Sequence, residues 1–171
     1  AFEDWPAFRN HLQELARQDS AVSKFERAAD AIVNGDLNGL NRLLREEPAL
    51  VRARSTRSHQ APLIHYVAAN GVEDFRQKTP KNVVEITNAL LGAGATVQAH
   101  DPEATKIAKG IFGDRITYAS NNYDALKGAH CLAIVTEWNE FRRPDFVRMK
   151  SLMREPVVFD GCSVKGQSAP G

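Results

Sequence analysis

Apolar positions recur at helical spacing through the first half of the chain, then give way to alternating helical and strand-like runs. Trp5, Phe8, Leu12 and Leu15 fall on one face of a first amphipathic helix, and Phe25, Ala28, Ala29 and Ile32 on one face of a second. Asn34-Gly35-Asp36 reads as a turn in which Asp36 caps a third helix carrying Leu37, Leu40, Leu43 and Leu44, and Pro48 stops that helix. Between 79 and 103 the pattern is helix, tight turn, strand. Thr79 caps, Pro80 fits the first helical position, and Val83, Ile86 and Leu90 give a helix over about 80–91. Gly92 and Gly94 supply a C-cap, and a short strand over about 95–99 closes at Asp101-Pro102. The preceding pattern is all helical and the following one alternates, so this segment is a seam serving two architectures.

Beyond the seam, Asp101 caps, Pro102 starts and Gly113 ends a helix carrying Ala104, Ile107, Ala108 and Ile111. Strands are expected at about 116–119, at the apolar run 131–135, and at about 156–159. A helical turn or two over 122–127 and a helix from Pro144 with Phe146, Met149 and Leu152 or Met153 inward fill the intervals. The run from Cys131 to Val135 reads as buried on both faces, as in a parallel sheet. Alternating strand and helix of this kind predicts βαβ units, an α/β fold.

A chain of 171 residues, 43% hydrophobic and 25% charged, buries a real core as one ordinary domain or two small ones. A net charge of +1 gives no argument for nucleic acid, and no apolar run reaches the roughly 20 residues of a bilayer span. The amino terminus lacks the pattern of a signal peptide, and Ala1 in place of Met implies a processed or trimmed start. Cys131 and Cys162 have no metal spacing; Cys131 is expected as a small buried hydrophobe, and a reducing cytoplasm fits best. The tail over 162–171 has no periodicity and reads as a flexible end or cloning remnant.

Two resemblances carry the reading further. AADAIVNGDLNGLNRLLREEPALVRA resembles one ankyrin repeat around its Asn-Gly-Asp turn. APLIHYVAANG, with Pro62, Leu63 and His65, is similar to the opening of another, and NVVEITNALLGAGATV to that repeat's second helix. The likeness covers about 25–98. It departs from the repeat pattern at Ala61, at Ile64 and in the inserted loop 72–78, and two repeats are fewer than a stacked array needs. It implies a face that could bind a protein partner. Helices are expected at about 62–69 and 80–91, since Pro62 and the alanines favour a helix start although Leu63 to Ala68 has enough β-branched and aromatic character for a strand.

Residues about 99–161 closely resemble the carboxyl-terminal, UDP-binding domain of UDP-glucose 6-dehydrogenase. The resemblance rests on Asp101-Pro102-Glu103-Ala104, Tyr123-Asp124-Ala125-Leu126, Thr136-Glu137-Trp138 and Phe159-Asp160-Gly161. It implies a Rossmann-like parallel sheet and a nucleotide-sugar ligand. The family's catalytic cysteine, its NAD-binding domain and the first strand of the UDP-binding domain, with its Phe-Lys pair, have no counterpart here. Cys162 stands where the family has an Arg after Asp-Gly. The resulting expectation is an ankyrin-like helical half (1–98) fused to a truncated Rossmann-like half (80–161) that shares helix 80–91: a recombined or engineered, non-enzymatic chimera. Its alternative is a module that still binds UDP or a UDP-sugar.

No catalytic, cofactor-binding or metal-ligating residue and no cofactor is assigned. His65 reads as a histidine bonding backbone between repeats rather than a metal ligand, since no second ligand lies near it. The basic loop VRARSTRSHQ reads as a solvated connector rather than a phosphate site. Gly92-Ala93-Gly94 follows a helix and precedes a strand, the wrong polarity for a dinucleotide loop. Glu137, Asp160 and Asp101 are expected near the carboxyl edge of the sheet, where ligands bind; capping is the plainer role for Asp101, and three acids without a cation repel phosphate.

Overall fold

The computed structural model describes residues 2–68, 73–136, 138–141 and 143–160. It divides into two compact units, Ala1–Val97 and Gln98–Gly171.

The first unit is built around α2 (Ala21–Asn34), against which α1 (Trp5–Ala16), α3 (Leu37–Glu46) and a 3-10 turn at Leu63–Val67 all pack. The caps follow the sequence signals. Asp4 accepts from Ala7 N at 2.8 Å, Ser20 from Ser23 N at 3.0 Å and Asp36 from Gly39 N at 2.9 Å, each satisfying an amide that the helix itself leaves unpaired. Gly35 closes α2 at φ +71°, and Asn82 Nδ2 donates to its carbonyl at 3.0 Å. A Cβ at Gly35 would lie 2.5 Å from Asn82 Oδ1, so both backbone and space require glycine. The core joins Phe25 and Ile32 of α2 to Leu40 of α3, Leu63 and Tyr66 of the 3-10 turn, and Ile86 and Leu90 of α4 (Val83–Gly92).

Three expectations change here. In α1 the inward side carries His11, while Trp5 and Leu12 are 69% and 48% exposed; the helix faces a polar cluster, to which an apolar count is blind. The segment expected as a helix over 62–69 is helical but tighter, a 3-10 run at Leu63–Val67, with Pro62 bridged to Arg54; residues 69–72 lie outside the described ones. Helix α4 begins at Val83 rather than Pro80, with Asn82 as its N-cap residue, and Asn82's side-chain amide is the group bonded to Gly35.

In the second unit β1 (Gln98–Ala99) pairs in parallel with β2 (Thr117–Tyr118), and β3 (Cys131–Ile134) with β4 (Val157–Asp160). The fold is α/β with a Rossmann-like domain, although the described strands form two two-stranded sheets rather than one. Helix α5 (Thr105–Phe112) follows β1 and ends at Gly113, φ +56°; α6 (Phe146–Leu152), capped by Asp145, precedes β4. A small core of Leu126, Met149 and Met153 takes in Leu132 and Leu152.

The run Cys131–Val135 is not buried on both faces: Cys131 is half-buried and Val135 is 61% exposed, and among the described residues β3 pairs with β4 alone. No residue of α5 is buried, and its intended stripe leaves Ile107 69% and Ile111 44% exposed. Phe146, expected inward, is 59% exposed, and Met149 and Met153 take the interior instead. Among the described residues no helix is long and apolar enough to cross a membrane.

Candidate functional site

The loops after β1 and β3 meet. Asp101 lies two residues beyond β1. Its Oδ1 accepts from Glu103 N at 2.8 Å and Ala104 N at 2.7 Å, and its Oδ2 accepts from Trp138 Nε1 at 3.2 Å. The amide of Ala104 is the largest influence on the Asp101 carboxyl; burial opposes it, but with the Glu103 amide, the indole and His100 added the carboxyl is held below the usual range. Asp101 therefore closes a turn ahead of α5 rather than capping it: the helix starts at Thr105, not at Pro102, its N-cap position is Ala104 with no side-chain bond, and the carboxylate also fixes the indole of Trp138. His100 donates from Nδ1 to Ala119 O at 3.3 Å; a carbonyl can only accept, so the proton sits on Nδ1. Its ring meets Phe141 edge-on at 6.4 Å. The edge thus carries Trp138, Phe141 and His100 around a carboxylate whose two oxygens are both occupied. Sequence reasoning missed His100 and Phe141, although each lies within three residues of a quoted motif.

Glu137 and Gly161 lie outside the described residues, as does Cys162, and Asp160 is described only as the backbone of β4. Ser120 Oγ and Asn121 both bond Asp124, which closes the turn after β2.

The first unit holds a second polar constellation, and here the loop VRARSTRSHQ departs from a solvated connector. The loop doubles back through Ser55 N to Ala61 O at 2.9 Å, with Gln60 at φ +49°. Arg57 then points inward, pairing with Glu26 through Nη2 at 3.2 Å and approaching Glu73 to 3.5 Å. Arg76 binds Glu26 at 2.8 Å, Glu73 at 2.9 Å and Asp30 at 2.7 Å. Tyr66 donates to Glu73 at 2.7 Å. His59 Nδ1 accepts from Ala61 N at 3.0 Å, so its proton is on Nε2, which donates to Glu73 at 2.9 Å.

Burial pushes the Glu73 carboxyl up, but bonds from His59 and Tyr66 and the charges of Arg76 and Arg57 outweigh it and hold the group at about 2. Burial, reinforced by the bond to Glu73, raises the Tyr66 hydroxyl. Burial opposes the charge on Arg76, yet Glu26 and Asp30 raise its pKa. His65 sits nearby, 7% exposed, and burial together with Arg54 and His59 brings it down to about 4, so it is a neutral structural imidazole at pH 7. No group of three His, Cys, Asp or Glu among the described residues could hold a metal ion.

Parallel strands followed by loops that converge on an acidic and aromatic edge place the second unit among Rossmann-like α/β domains, whose ligand sites lie at strand carboxyl ends. The model of the UDP-glucose/GDP-mannose dehydrogenase family, UDP binding domain, matches residues 70–167, and the chain belongs to that family. It is 36% identical over 96 residues to a UDP-glucose 6-dehydrogenase of Pseudomonas aeruginosa, a match covering 53% of this chain and 20% of that protein. The UDP-glucose 6-dehydrogenase of Rhizobium meliloti is 40% identical over 77 residues, 45% of this chain and 17% of its own length. UDP-glucose 6-dehydrogenase AglM of Haloferax volcanii is 37% identical over 91 residues, 53% and 20%. The matched stretch thus spans about a fifth of these relatives, 17% to 20% of each.

Proposed function

We propose that the second unit recognises the nucleotide of UDP or a UDP-sugar without transforming it. The observation that carries this is the bond from Trp138 to Asp101: it fixes an aromatic plane at the carboxyl edge of parallel strands in a domain of the UDP-binding family. Base stacking on such a plane is worth about 1–3 kcal/mol. The phosphate side is weaker. The amides of Glu103 and Ala104, in the turn leading into α5, already bond Asp101, and that carboxylate stands between the turn and a phosphate. The Lys and Arg implied by the family resemblance have no counterpart, and each charge-assisted bond lost removes roughly 1.5–3 kcal/mol.

UDP is therefore expected to bind with a dissociation constant of about 1 mM at physiological salt, near −4 kcal/mol. Calorimetric titration of the full chain with UDP tests this, with Trp138→Ala as control. Loss of binding in the variant supports the reading. No heat above about 10 mM ligand, or equal binding by Trp138→Ala, overturns it.

The same proposal takes the chain to be a chimera without chemistry of its own, joined at α4. What favours a seam there is that α4 falls inside the family match at 70–167 while it packs on α3 and the Leu63–Val67 turn of the first unit. One helix then satisfies an ankyrin-like contact on one side and a family sequence pattern on the other.

A further inference from the structure

We propose that His11 makes α1 an acid-releasable strap over the ionic cluster of the first unit. His11 is the only buried residue of α1, 3% exposed among neighbours that mostly face solvent. Its Nδ1 lies 2.9 Å from Thr56 Oγ1, and Phe2 lies against its ring at 4.8 Å. Its Nε2 is buried without a hydrogen bond and sits 3.9 Å from Glu26 Oε1. His11 is thus the one side chain of α1 sealed against the cluster.

The charged groups facing it come from every segment packed there: Glu26 on α2, Arg57 in the loop, and Glu73 and Arg76 at the 3-10 turn Asp74–Arg76. On α1 itself, Glu14 is paired with Arg17 at 3.1 Å. Both carboxylates that could welcome an imidazolium already hold guanidinium groups, Glu26 those of Arg57 and Arg76, and Glu73 that of Arg76. A proton on His11 would thus lose hydration, meet two arginines, and gain only a share in occupied carboxylates. Burial is the largest influence on this histidine and lowers its pKa from the ordinary 6.5, with Arg57 and Arg76 adding to that and Glu26 and Glu73 opposing. A depressed histidine contributes docking free energy fully above 6.5 and loses it as pH falls through the docked value. In acid, α1 leaves and uncovers Glu26 and Arg57.

Hydrogen exchange of α1 amides, referenced to α2 amides in the same full chain and corrected for intrinsic rates, tests the proposal. Between pH 7.5 and pH 5 the α1 protection factor should fall roughly fivefold or more relative to α2. His11→Gln, which keeps a polar side chain but cannot titrate, should abolish that fall. A fall of equal size in His11→Gln, or none in the wild type, overturns the strap. Should His11→Gln not fold, the His11 ring titration followed by NMR in the wild type decides. Its midpoint must coincide with the loss of α1 protection, and a separation of more than about one pH unit, a tenfold difference, rejects the assignment.

Discussion

Glu73 shows what a single side chain does in this molecule. Its carboxylate answers His59, Tyr66 and Arg76 within 2.9 Å, drawing the 54–60 loop and two 3-10 turns onto α2 through the shared arginines. Removing one member of such a buried set leaves the rest uncompensated, at a cost of about 3 kcal/mol or more. Glu73→Leu should therefore lower the urea midpoint of the first unit markedly, with Glu73→Gln intermediate, as followed by far-UV circular dichroism. The pH dependence follows from the same group. Its folded pKa of about 2 lies below its ordinary 4.5, so its contribution is complete above 4.5 and is lost as pH falls from there through 2. His65, at about 4 against 6.5, contributes in full above 6.5 and loses its share as pH falls through 4. Urea midpoints at pH 7.5, 5 and 3 should fall in that sequence, and the last step should be smaller in Glu73→Leu, which keeps only the part that His65 loses through 4. None of this was legible in the sequence as a cluster. Glu26, Arg57, Glu73 and Arg76 are far apart along the chain, and charges at such spacing ordinarily read as solvated surface.

At the scale of elements, local chemistry decided the helices and tertiary contacts decided their faces. Asp36, Pro48 and Gly113 act where the sequence placed them, because capping and chain reversal depend on residues within one turn. The faces of α1 and α5 could not be read so directly. The partner of α1 is polar, and α5 buries no residue among the described ones, so Ile107 and Ile111 stay exposed. Gly35 is where both levels meet. Gly35→Ala should cost about 1–2 kcal/mol for the left-handed backbone alone, plus the loss of its fit against Asn82. Thermal unfolding should show that loss, and adding Asn82→Ala to Gly35→Ala should recover part of it by vacating the space a Cβ needs. A Gly35→Ala protein as stable as the wild type would contradict the account.

At the scale of the whole molecule, the proposal of recognition without catalysis predicts that the purified chain will not reduce NAD in the presence of UDP-glucose. Such a reaction needs a bound hydride acceptor beside the sugar and a positioned nucleophile. Spectrophotometry of NADH formation, scaled to protein concentration, checks it, and turnover abolished by Cys162→Ala would refute it. The sequence by itself determined most helix positions, the α/β character of the second half and its membership of a UDP-binding family, since caps, periodicity and motifs are local and survive in any context. Only the tertiary structure decided that the basic loop turns inward onto Glu26 and Glu73, that the described strands split into two pairs, and that Asp101 holds Trp138. Those outcomes depend on which distant groups meet in low dielectric and on how many partners each strand finds, and neither is encoded within a single turn of chain.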